Sequence, residues 1–325
     1  MLNYPLKFDA ILKEKIWGGN KLETLLQKKT TKHNIGESWE ISAVPGDISM
    51  VSNGILKGKS LVELIETYQG KLLGKNVFSK FGNQFPLLIK YIDAKEALSI
   101  QVHPNDVLAK KRHNSFGKTE MWYVMQADEN ANLIVGFSKE VSKESYVEHL
   151  KNKSLMDILN SDLVKKGDVY FIPTGRVHAI GAGVLLAEIQ QTSDITYRMY
   201  DWDRKDDEGN ERELHTDEAI DAIDFSAREK YTTDYEKKLN ESTSIVNCEY
   251  FSTNILPVNA KIEIDNTSKD SFVIYMCVSG KGVKFKSDNF EVSLNYGESL
   301  LIPAMLKKFK IVPLGESELL EIAVV

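Results

Sequence analysis

The chain has 325 residues, which is enough for one large or two ordinary domains with a sizeable core. Its 41 Lys and Arg residues against 47 Asp and Glu give a net charge of −6, which argues against general nucleic-acid binding. Two cysteines are too few for a disulfide framework, and the sequence has neither a signal-peptide pattern nor a window approaching the ~18 apolar residues of a membrane-spanning helix. We therefore expect a cytoplasmic protein with no membrane or nucleic-acid partner.

The predicted elements are mostly short strands, with a few helices between them. Ser60 and Glu63 form a capping box that begins a helix. Helical spacing of apolar residues predicts a second helix over 142–160, and Thr216 precedes a short third one. Short apolar runs bounded by Gly, Pro, Asn and Asp predict strands at 87–92, 98–102, 121–125, 133–137, 169–172, 184–189, 251–256, 272–278, 282–286 and 299–302. This pattern indicates an all-β fold in which the helices are small insertions.

The chain divides into two parts with an internal repeat. Residues 226–244 are polar and charged, which predicts a linker. The spacing G-x5-P occurs in both parts, and five residues after its proline the first copy has His178 where the second has Lys308. We therefore predict two related domains, over residues 1–230 and 245–325, of which the second is a degenerate copy that lacks the histidine.

The first copy of the repeat resembles a known motif. The run Gly167 to His178, GDVYFIPTGRVH, is similar to the second sequence motif of the cupin superfamily, small antiparallel β-barrels whose histidine binds a metal inside the barrel. Pro173 ends the apolar run because it has no N–H for the strand ladder, and Gly175 supplies a flexible corner. The resemblance implies two cupin-like antiparallel barrels of the jelly-roll type.

Four polar residues form a candidate metal site. Because strand side chains alternate between faces, Gln101 and His103 in ALSIQVHP share one face with Ser99, whereas Leu98, Ile100 and Val102 share the other. Glu120 enters on one face of GKTEMWYV with Trp122 and Val124. Together with His178 these residues offer an N/O donor set that suits catalytic Zn²⁺, with iron or manganese as alternatives. A solvated edge strand at Gln101 and His103 and an exposed Glu120 are the non-functional alternatives, and the residues alone would also allow a three-ligand site.

Several further motifs, in order and spacing, make the resemblance specific. QVHP, K-x-E-x-W, PTGRVHA and EIQQTSDITYR, together with KIWGG at Lys15 to Gly19 and GESWEIS at Gly36 to Ser42, resemble type I mannose-6-phosphate isomerases in their short bacterial form. The resemblance covers roughly residues 5 to 205 and is weaker beyond. The long form of the family has a proline where this chain has Thr119. By this resemblance, Gln101, His103, Glu120 and His178 hold one zinc ion per chain.

The same resemblance implies an activity and roles for further residues. It implies zinc-dependent interconversion of mannose 6-phosphate and fructose 6-phosphate through an enediol, so that the partner is a small sugar phosphate. Glu188 matches the family's proposed base, and Arg198 matches its catalytic arginine. The family lysine that matches Lys118 lines the pocket, which makes Lys118 a third candidate catalytic residue. Ser99 and Arg176 are candidates for binding the phosphate.

Other interpretations stay open at this point. Glu188 could instead orient a metal ligand, and Arg198 could be a structural partner of Asp201 or Asp203. The segment 201–209, DWDRKDDEG, lacks the glycine spacing of an EF-hand and is expected to be a solvated loop. A cupin dioxygenase that uses a His-x-His pair, and a sugar-binding cupin without activity, are the competing functions. The chain is expected to be a monomer or a homodimer.

Overall fold

The computed structural model describes residues 2–206 and 208–325, so Met1 and Asp207 lie outside the described residues. The strands before residue 201 are β1 Ile11–Gly19, β2 Ile35–Ile41, β3 Ala43–Val44, β4 Asp47–Ile48, β5 Leu87–Ala94, β6 Ile100–Val102, β7 Glu120–Ala127, β8 Asn132–Phe137, β9 Leu159–Leu163, β10 Val169–Ile172, β11 His178–Ile180, β12 Val184–Gln191 and β13 Tyr197–Tyr200. The later strands are β14 Thr243–Asn247, β15 Ser252–Val258, β16 Ile262–Asp265, β17 Val273–Gly280, β18 Val283–Ser287, β19 Phe290–Leu294, β20 Ser299–Ile302, β21 Lys308–Pro313 and β22 Ser317–Ala323.

The helices are short. They are α1 Lys21–Thr24, α2 Leu61–Tyr68, α3 Gly70–Leu73, α4 Lys75–Phe81, α5 Asp106–His113, α6 Lys143–Lys151 and α7 Thr216–Ile220, with 3-10 turns at Gly54–Leu56 and Leu155–Asp157. None of the described helices has both the length and the apolar composition needed to cross a membrane. The predicted strand-rich fold with small helical insertions is therefore confirmed.

Four antiparallel sheets form the body of the protein. In the first part, a six-stranded sheet has the order β1-β2-β5-β12-β7-β10, and a five-stranded sheet has the order β13-β6-β11-β8-β9. In the second part, the orders are β14-β15-β22-β17-β20 and β16-β21-β18-β19. No strand pairing among the described residues closes these sheets into a barrel.

Side-chain alternation along each strand explains how the sheets stack. On β12, Leu185 and Ala187 face the core that the six-stranded sheet shares with the second part, while Val184 and Leu186 face the five-stranded sheet of the first part. On β17, Ile274 and the second and fourth residues after it face the same shared core. The six-stranded sheet is thus covered on both faces, which is why β5 and β12 are buried along their whole length.

The two parts share one hydrophobic core and are not joined by a free tether. Residues from both parts meet in the same cluster, including Tyr91 and Met121 with Phe272 and Leu320. The beginning of the polar segment 226–244 lies against the first part, where the buried Tyr231 donates a hydrogen bond to the carbonyl of Phe137 (2.9 Å). Tyr235 donates similarly to Gly167 (2.6 Å). The end of the segment contacts the second part, where Lys237 pairs with Glu318 and Thr243 begins β14. The segment predicted as a linker is therefore packed against both parts.

The helix predicted over 142–160 is wrong in its second half. The helix begins where it was predicted, with the Ser142 side chain as its N-cap, but it ends at Lys151. A 3-10 turn follows, and Leu159 then begins β9, which pairs with β8. Helical spacing continued past Lys151 because Leu155 and Leu159 are both buried in the same small core, one on a turn and one on a strand.

The interior of the second part is filled by apolar side chains. Tyr275, Phe285 and Phe309 contact one another between its two sheets, with ring centroids 5.0 to 6.4 Å apart. Lys308, at the position of the repeat where the first copy has His178, begins β21 just as His178 begins β11. Its side chain is 74% exposed and pairs with Asp265. The repeat is therefore visible in the fold, and its second copy has no ligand at this position.

Leu320→Ala tests the shared core. Leu320 is fully buried between the two parts, so we expect a loss of about 2–5 kcal/mol in the free energy of unfolding. Because both parts contribute to this core, urea denaturation should give transitions with the same midpoint by tryptophan fluorescence, which reports on the first part, and by far-ultraviolet circular dichroism, which reports on both. Leu163→Ala, at an exposed leucine of β9, is the control and should change stability by less than about 0.5 kcal/mol. Separate unfolding of the two parts would contradict the shared core.

Candidate metal centre and active-site cavity

Three buried side chains from the first part converge on one point. His103 follows the end of β6, Glu120 is the first residue of β7, and His178 is the first residue of β11. One donor atom from each lies within 4.8 Å of the others. The turn after β10 helps to join them, because Gly175, at φ +85°, donates its N–H to the carbonyl of His103 (3.0 Å). The two predicted histidines therefore face one point.

Backbone contacts fix the orientation of both imidazoles. Nδ1 of His103 lies 2.9 Å from the carbonyl of Ile195, and Nδ1 of His178 lies 2.8 Å from the carbonyl of Arg176. Each Nδ1 therefore carries the proton, and each Nε2 presents a lone pair to the shared point. Burial lowers the pKa of His178, and burial together with Lys118 lowers the pKa of His103 to about 3. Both rings are neutral near pH 7, as metal ligation requires.

Glu120 supplies the negative charge. It is fully buried, and neither carboxylate oxygen has a hydrogen-bond partner among the described residues. Nζ of Lys118 lies 2.6 Å from Oε1, although not aligned for a hydrogen bond, and 3.1 Å from Nε2 of His103. Burial alone would raise the pKa of Glu120, but Lys118 and the two imidazoles hold it well below its usual range. This set of two neutral imidazoles and an ionised carboxylate with free lone pairs fits a divalent metal ion.

Gln101 stands at the edge of this group. It pairs in register with His178, and its Nε2 lies 3.3 Å from Nε2 of His178. Rotation of the Gln101 side-chain amide by half a turn would place its oxygen where its nitrogen now lies, facing the point that His103, Glu120 and His178 share. The alternation predicted for its strand holds only from Ile100 onward, because β6 begins there; Leu98 instead lines the cavity beside Ser99. The distances admit Gln101 as a fourth ligand and do not require it.

A cavity of about 310 Å³ opens beside the metal group. Four of the five residues predicted to be catalytic or to bind substrate line it, namely Ser99, Lys118, Glu188 and Arg198, together with the predicted metal ligand Gln101. Gln101 contacts His178 and Lys118 contacts Glu120, so these two residues connect the cavity to the metal group. A larger cavity, of about 1100 Å³, lies beside Phe81 and Phe116 and is lined by none of these residues. The chemistry is therefore concentrated in the smaller cavity.

Glu188 occupies the centre of one wall of the cavity. Its neighbours in register on β5 and β7 are Lys90 and Trp122. Lys90 donates to Oε1 (3.0 Å) and the indole N–H of Trp122 donates to Oε2 (2.8 Å). Burial and the charge of Glu120 raise the pKa of Glu188, while Lys90 opposes that rise. Glu188 is thus a fixed, buried carboxylate with more basic character than an exposed one.

Arg198 faces the cavity from the opposite sheet. Its Nη1 donates to the carbonyl of Glu213 (2.6 Å), and its Nε is buried without a hydrogen-bond partner in the described part of the chain. Asp201, which the sequence offered as a structural partner, binds Arg204 and Arg212 instead. The guanidinium of Arg198 therefore keeps donors available to a ligand in the cavity.

Arg176 does not reach the cavity. Its guanidinium donates to the carbonyl of Phe171 (3.1 Å) and lies 5.2 Å from the ring centroid of Tyr231. The expectation of a solvated loop at 201–209 is also wrong at its first residue, because Asp201 is buried in its pairs with two arginines. In both cases a specific partner sets the direction of a charged side chain on a loop: Arg176 turns to Phe171 and Tyr231, and Asp201 turns to Arg204 and Arg212.

Sequence reasoning did not single out several charged residues of the cavity lining, among them Lys15, Glu37, Lys90 and Arg212. Glu37 accepts a hydrogen bond from the indole of Trp39 (2.7 Å), and its carboxylate lies 3.5 Å from the ammonium of Lys15. A signal existed for Lys90, because a lysine inside the apolar run LLIKYIDA is unexpected on a strand that is buried on both faces. Arg212 gave no such signal, since it belongs to a polar loop.

A hydrogen-bond network holds the segment that carries Lys118 and Glu120. Asp106 accepts from the backbone N–H of Gly117 (2.7 Å) and from Tyr250 of the second part (2.7 Å). It also accepts from the Gln191 amide (3.1 Å), whose oxygen accepts the N–H of Thr119 (2.9 Å). A proline at Thr119, as in the long form of the resembled family, could not make this last bond. The difference from the long form at Thr119 therefore allows a hydrogen bond from its backbone N–H to Gln191.

Comparisons with known proteins find relatives of both parts of the chain. Residues 6–134 match the family description "Phosphomannose isomerase type I, catalytic domain", and residues 241–322 match "Mannose-6-phosphate isomerase, cupin domain". The mannose-6-phosphate isomerase of Streptococcus mutans is 34% identical over 94% of both chains, and the mannose-6-phosphate isomerase ManA of Bacillus subtilis is 35% identical over 96% of both.

Solved structures show the same fold. The crystal structure of the mannose 6-phosphate isomerase from Bacillus subtilis superposes with a TM-score of 0.87 at 35% identity, covering 98% of this chain and 99% of that one. A putative mannosephosphate isomerase from Archaeoglobus fulgidus superposes with a TM-score of 0.80, but at 22% identity it supports the fold alone. The similarity extends through both parts of the chain.

His178→Ala tests the metal centre. Removing one of two imidazoles from a three-residue group should abolish retention of divalent metal after dialysis, measured as metal per chain by plasma emission spectrometry. His33→Ala, at an exposed histidine outside the group, should retain the wild-type content. Unchanged metal content in a folded His178→Ala protein would rule out His178 as a ligand.

Proposed function

The chain belongs to the type I phosphomannose isomerase family, and from this premise we propose that it interconverts mannose 6-phosphate and fructose 6-phosphate. The observation that carries the proposal is the buried group of His103, Glu120 and His178 next to a cavity that is lined by the buried carboxylate of Glu188 and the guanidinium of Arg198. Because the chain belongs to this family, we prefer an isomerase to the two other functions that the cupin motif allowed, a dioxygenase and a non-enzymatic sugar-binding protein.

We propose one zinc ion per chain, held by His103, Glu120 and His178, with Gln101 as the fourth ligand. When bound, the ion would supply a Lewis acid for an oxygen of the substrate. The support is the donor set itself, with two oriented Nε2 lone pairs and a carboxylate that lacks hydrogen bonds. Nε2 of His103 has one lone pair, so a metal bound there replaces its contact with Lys118. Lys118 is then free to donate to a ligand in the cavity.

Glu188 is the proposed base. Isomerisation moves a proton between C1 and C2 through an enediol, so a base must lie against that edge of the sugar. The direction of the Glu188 pKa shift favours this role, because a carboxylate with a raised pKa is the stronger proton acceptor. Burial lowers the pKa of Lys90, but the charges of Glu188 and Glu37 outweigh that effect and raise it. Lys90 therefore stays an ammonium ion. It keeps Glu188 in place and balances its charge.

Arg198 and Ser99 complete the proposed substrate contacts. A guanidinium is charged at any pH of interest and stabilises the negative oxygen of an enediolate. Arg198 has a buried Nε without a partner in the described residues, which favours such a ligand. Ser99 is buried at the cavity wall and offers a hydroxyl to the phosphate. Arg176 is left out of this proposal because its guanidinium contacts Phe171 and Tyr231 away from the cavity.

The finer description of the protein is part of the same proposal. We propose two cupin barrels of the jelly-roll type, a catalytic domain over 1–230 and a second domain over 245–325, and a monomer or a homodimer. We also propose a cytoplasmic location, since a doubly charged sugar phosphate does not cross a membrane unaided.

The direct test is formation of fructose 6-phosphate from mannose 6-phosphate in a coupled assay. We expect activity that falls to background after prolonged chelation, with the metal content measured in parallel, and that returns when zinc is added. A zinc-loaded protein that forms no fructose 6-phosphate would refute the isomerase. Full activity in a preparation shown to be free of metal would refute the metal's part in it.

Glu188→Gln tests the base. Glutamine keeps the size of the side chain and can still contact Lys90 or Trp122, but it cannot accept the proton. We expect kcat to fall by about 10²- to 10⁴-fold with little change in KM and with metal content retained. Glu96→Gln, at an exposed glutamate outside the cavity, serves as the control with the same change of charge. A kcat near that of the wild type would exclude Glu188 as the base.

A further inference from the structure

A second arginine lines the cavity from a loop. Arg212 lies between β13 and α7, its side chain is 30% exposed, and it lines the same cavity as Arg198, Ser99 and Thr196. These residues stand on the wall opposite to Glu188. They present two guanidinium groups and two hydroxyls, which are the donors that recognise a phosphate.

Asp201 fixes the plane of the Arg212 guanidinium. The carboxylate accepts Nε of Arg212 (2.6 Å) and also its Nη2, while Arg204 binds the same carboxylate (2.6 Å) from another side. This fork leaves the two N–H groups of Arg212 Nη1 without a partner in the described part of the chain. Because Asp201 is buried, the arginine is held in place before any ligand arrives.

The cavity as a whole carries an excess of positive charge. Its lining includes five cationic side chains, Lys15, Lys90, Lys118, Arg198 and Arg212, and three carboxylates, Glu37, Glu188 and Asp194. Each of the three lysines lies close to a buried carboxylate, Lys15 to Glu37, Lys90 to Glu188 and Lys118 to Glu120. An anion is therefore attracted to the cavity, and the two arginines offer it N–H donors that have no partner in the described part of the chain.

We infer that Arg212, oriented by Asp201, binds the phosphate group of the sugar phosphate and sets the preference of the site for phosphorylated sugars. This inference rests on the proposed function. It orients the substrate, with C1 and C2 toward Glu188 and the metal ligands and the phosphate toward Arg212. Arg198 lies between them, next to Gln101 in strand register. Asp201 acts through Arg212 and is a positioning residue.

The test compares Arg212→Ala with the wild type on mannose 6-phosphate and on unphosphorylated mannose. A charge-assisted contact to phosphate predicts a loss of about 10- to 100-fold in kcat/KM for mannose 6-phosphate, mainly through KM. For mannose the loss should stay below about threefold, because no phosphate is present. Arg228→Ala, an exposed arginine outside the cavity, removes the same charge and should change neither value. Equal losses for both sugars would overturn the inference.

Binding of inorganic phosphate, measured by calorimetry, gives a readout that does not depend on turnover. We expect Arg212→Ala to weaken it about tenfold or more, and unchanged binding would overturn the assignment. Asp201→Asn separates positioning from plain charge. Removing a carboxylate should strengthen anion binding if only charge matters, and should weaken it if Asp201 holds Arg212 in place. If the wild type binds inorganic phosphate through Arg212 but does not isomerise mannose 6-phosphate, the proposed function fails and the anion site remains.

Discussion

The burial of one carboxylate, that of Glu120, governs how this site is built. Glu120 is the first residue of β7, and its backbone is paired with Ile172 on one side and with Gln190 on the other, so its side chain cannot turn to water. An isolated buried charge costs several kcal/mol. The ammonium of Lys118, 2.6 Å from Oε1, offsets this charge, and the Nε2 atoms of His103 and His178 lie within about 4 Å of the carboxylate oxygens. The two imidazole lone pairs and the ionised carboxylate together form the ligand set that a divalent metal needs.

The six-stranded sheet connects that centre to the rest of the molecule. Its central strands β5, β12 and β7 place Lys90, Glu188 and Trp122 side by side in one row facing the cavity. The opposite faces of the same strands are apolar and pack on the second part. A sheet covered on both faces is rigid, so the carboxylate of Glu188 keeps its direction relative to the metal ligands without help from a loop.

The second part supports the first without adding a metal site within the described residues. Its interior is filled by aromatic side chains, and Lys308 points to solvent where the first part has His178. It also reaches toward the chemistry through Tyr250, which binds Asp106, the residue that holds Gly117 and Gln191 beside the segment of Lys118. A degenerate copy of the repeat thus packs against the sheet and, through Tyr250, helps to hold the segment that leads to Lys118 and Glu120.

Period-two alternation and short motifs determined much from the sequence alone: the strand-rich fold, the faces of Glu120 and Glu188, the paired histidines and the family. Such patterns fail where a local signal has two structural meanings, as at Leu159, whose helical spacing continues onto a strand. They also fail for charged side chains whose direction depends on which partner they meet in the folded chain. Lys90 is given its role by Glu188, Arg176 is drawn away by Phe171 and Tyr231, and Arg212 is turned into the cavity by the buried Asp201. Only the tertiary structure decided these directions, because an ion pair depends on where two strands or loops meet and the sequence around either partner does not contain that information.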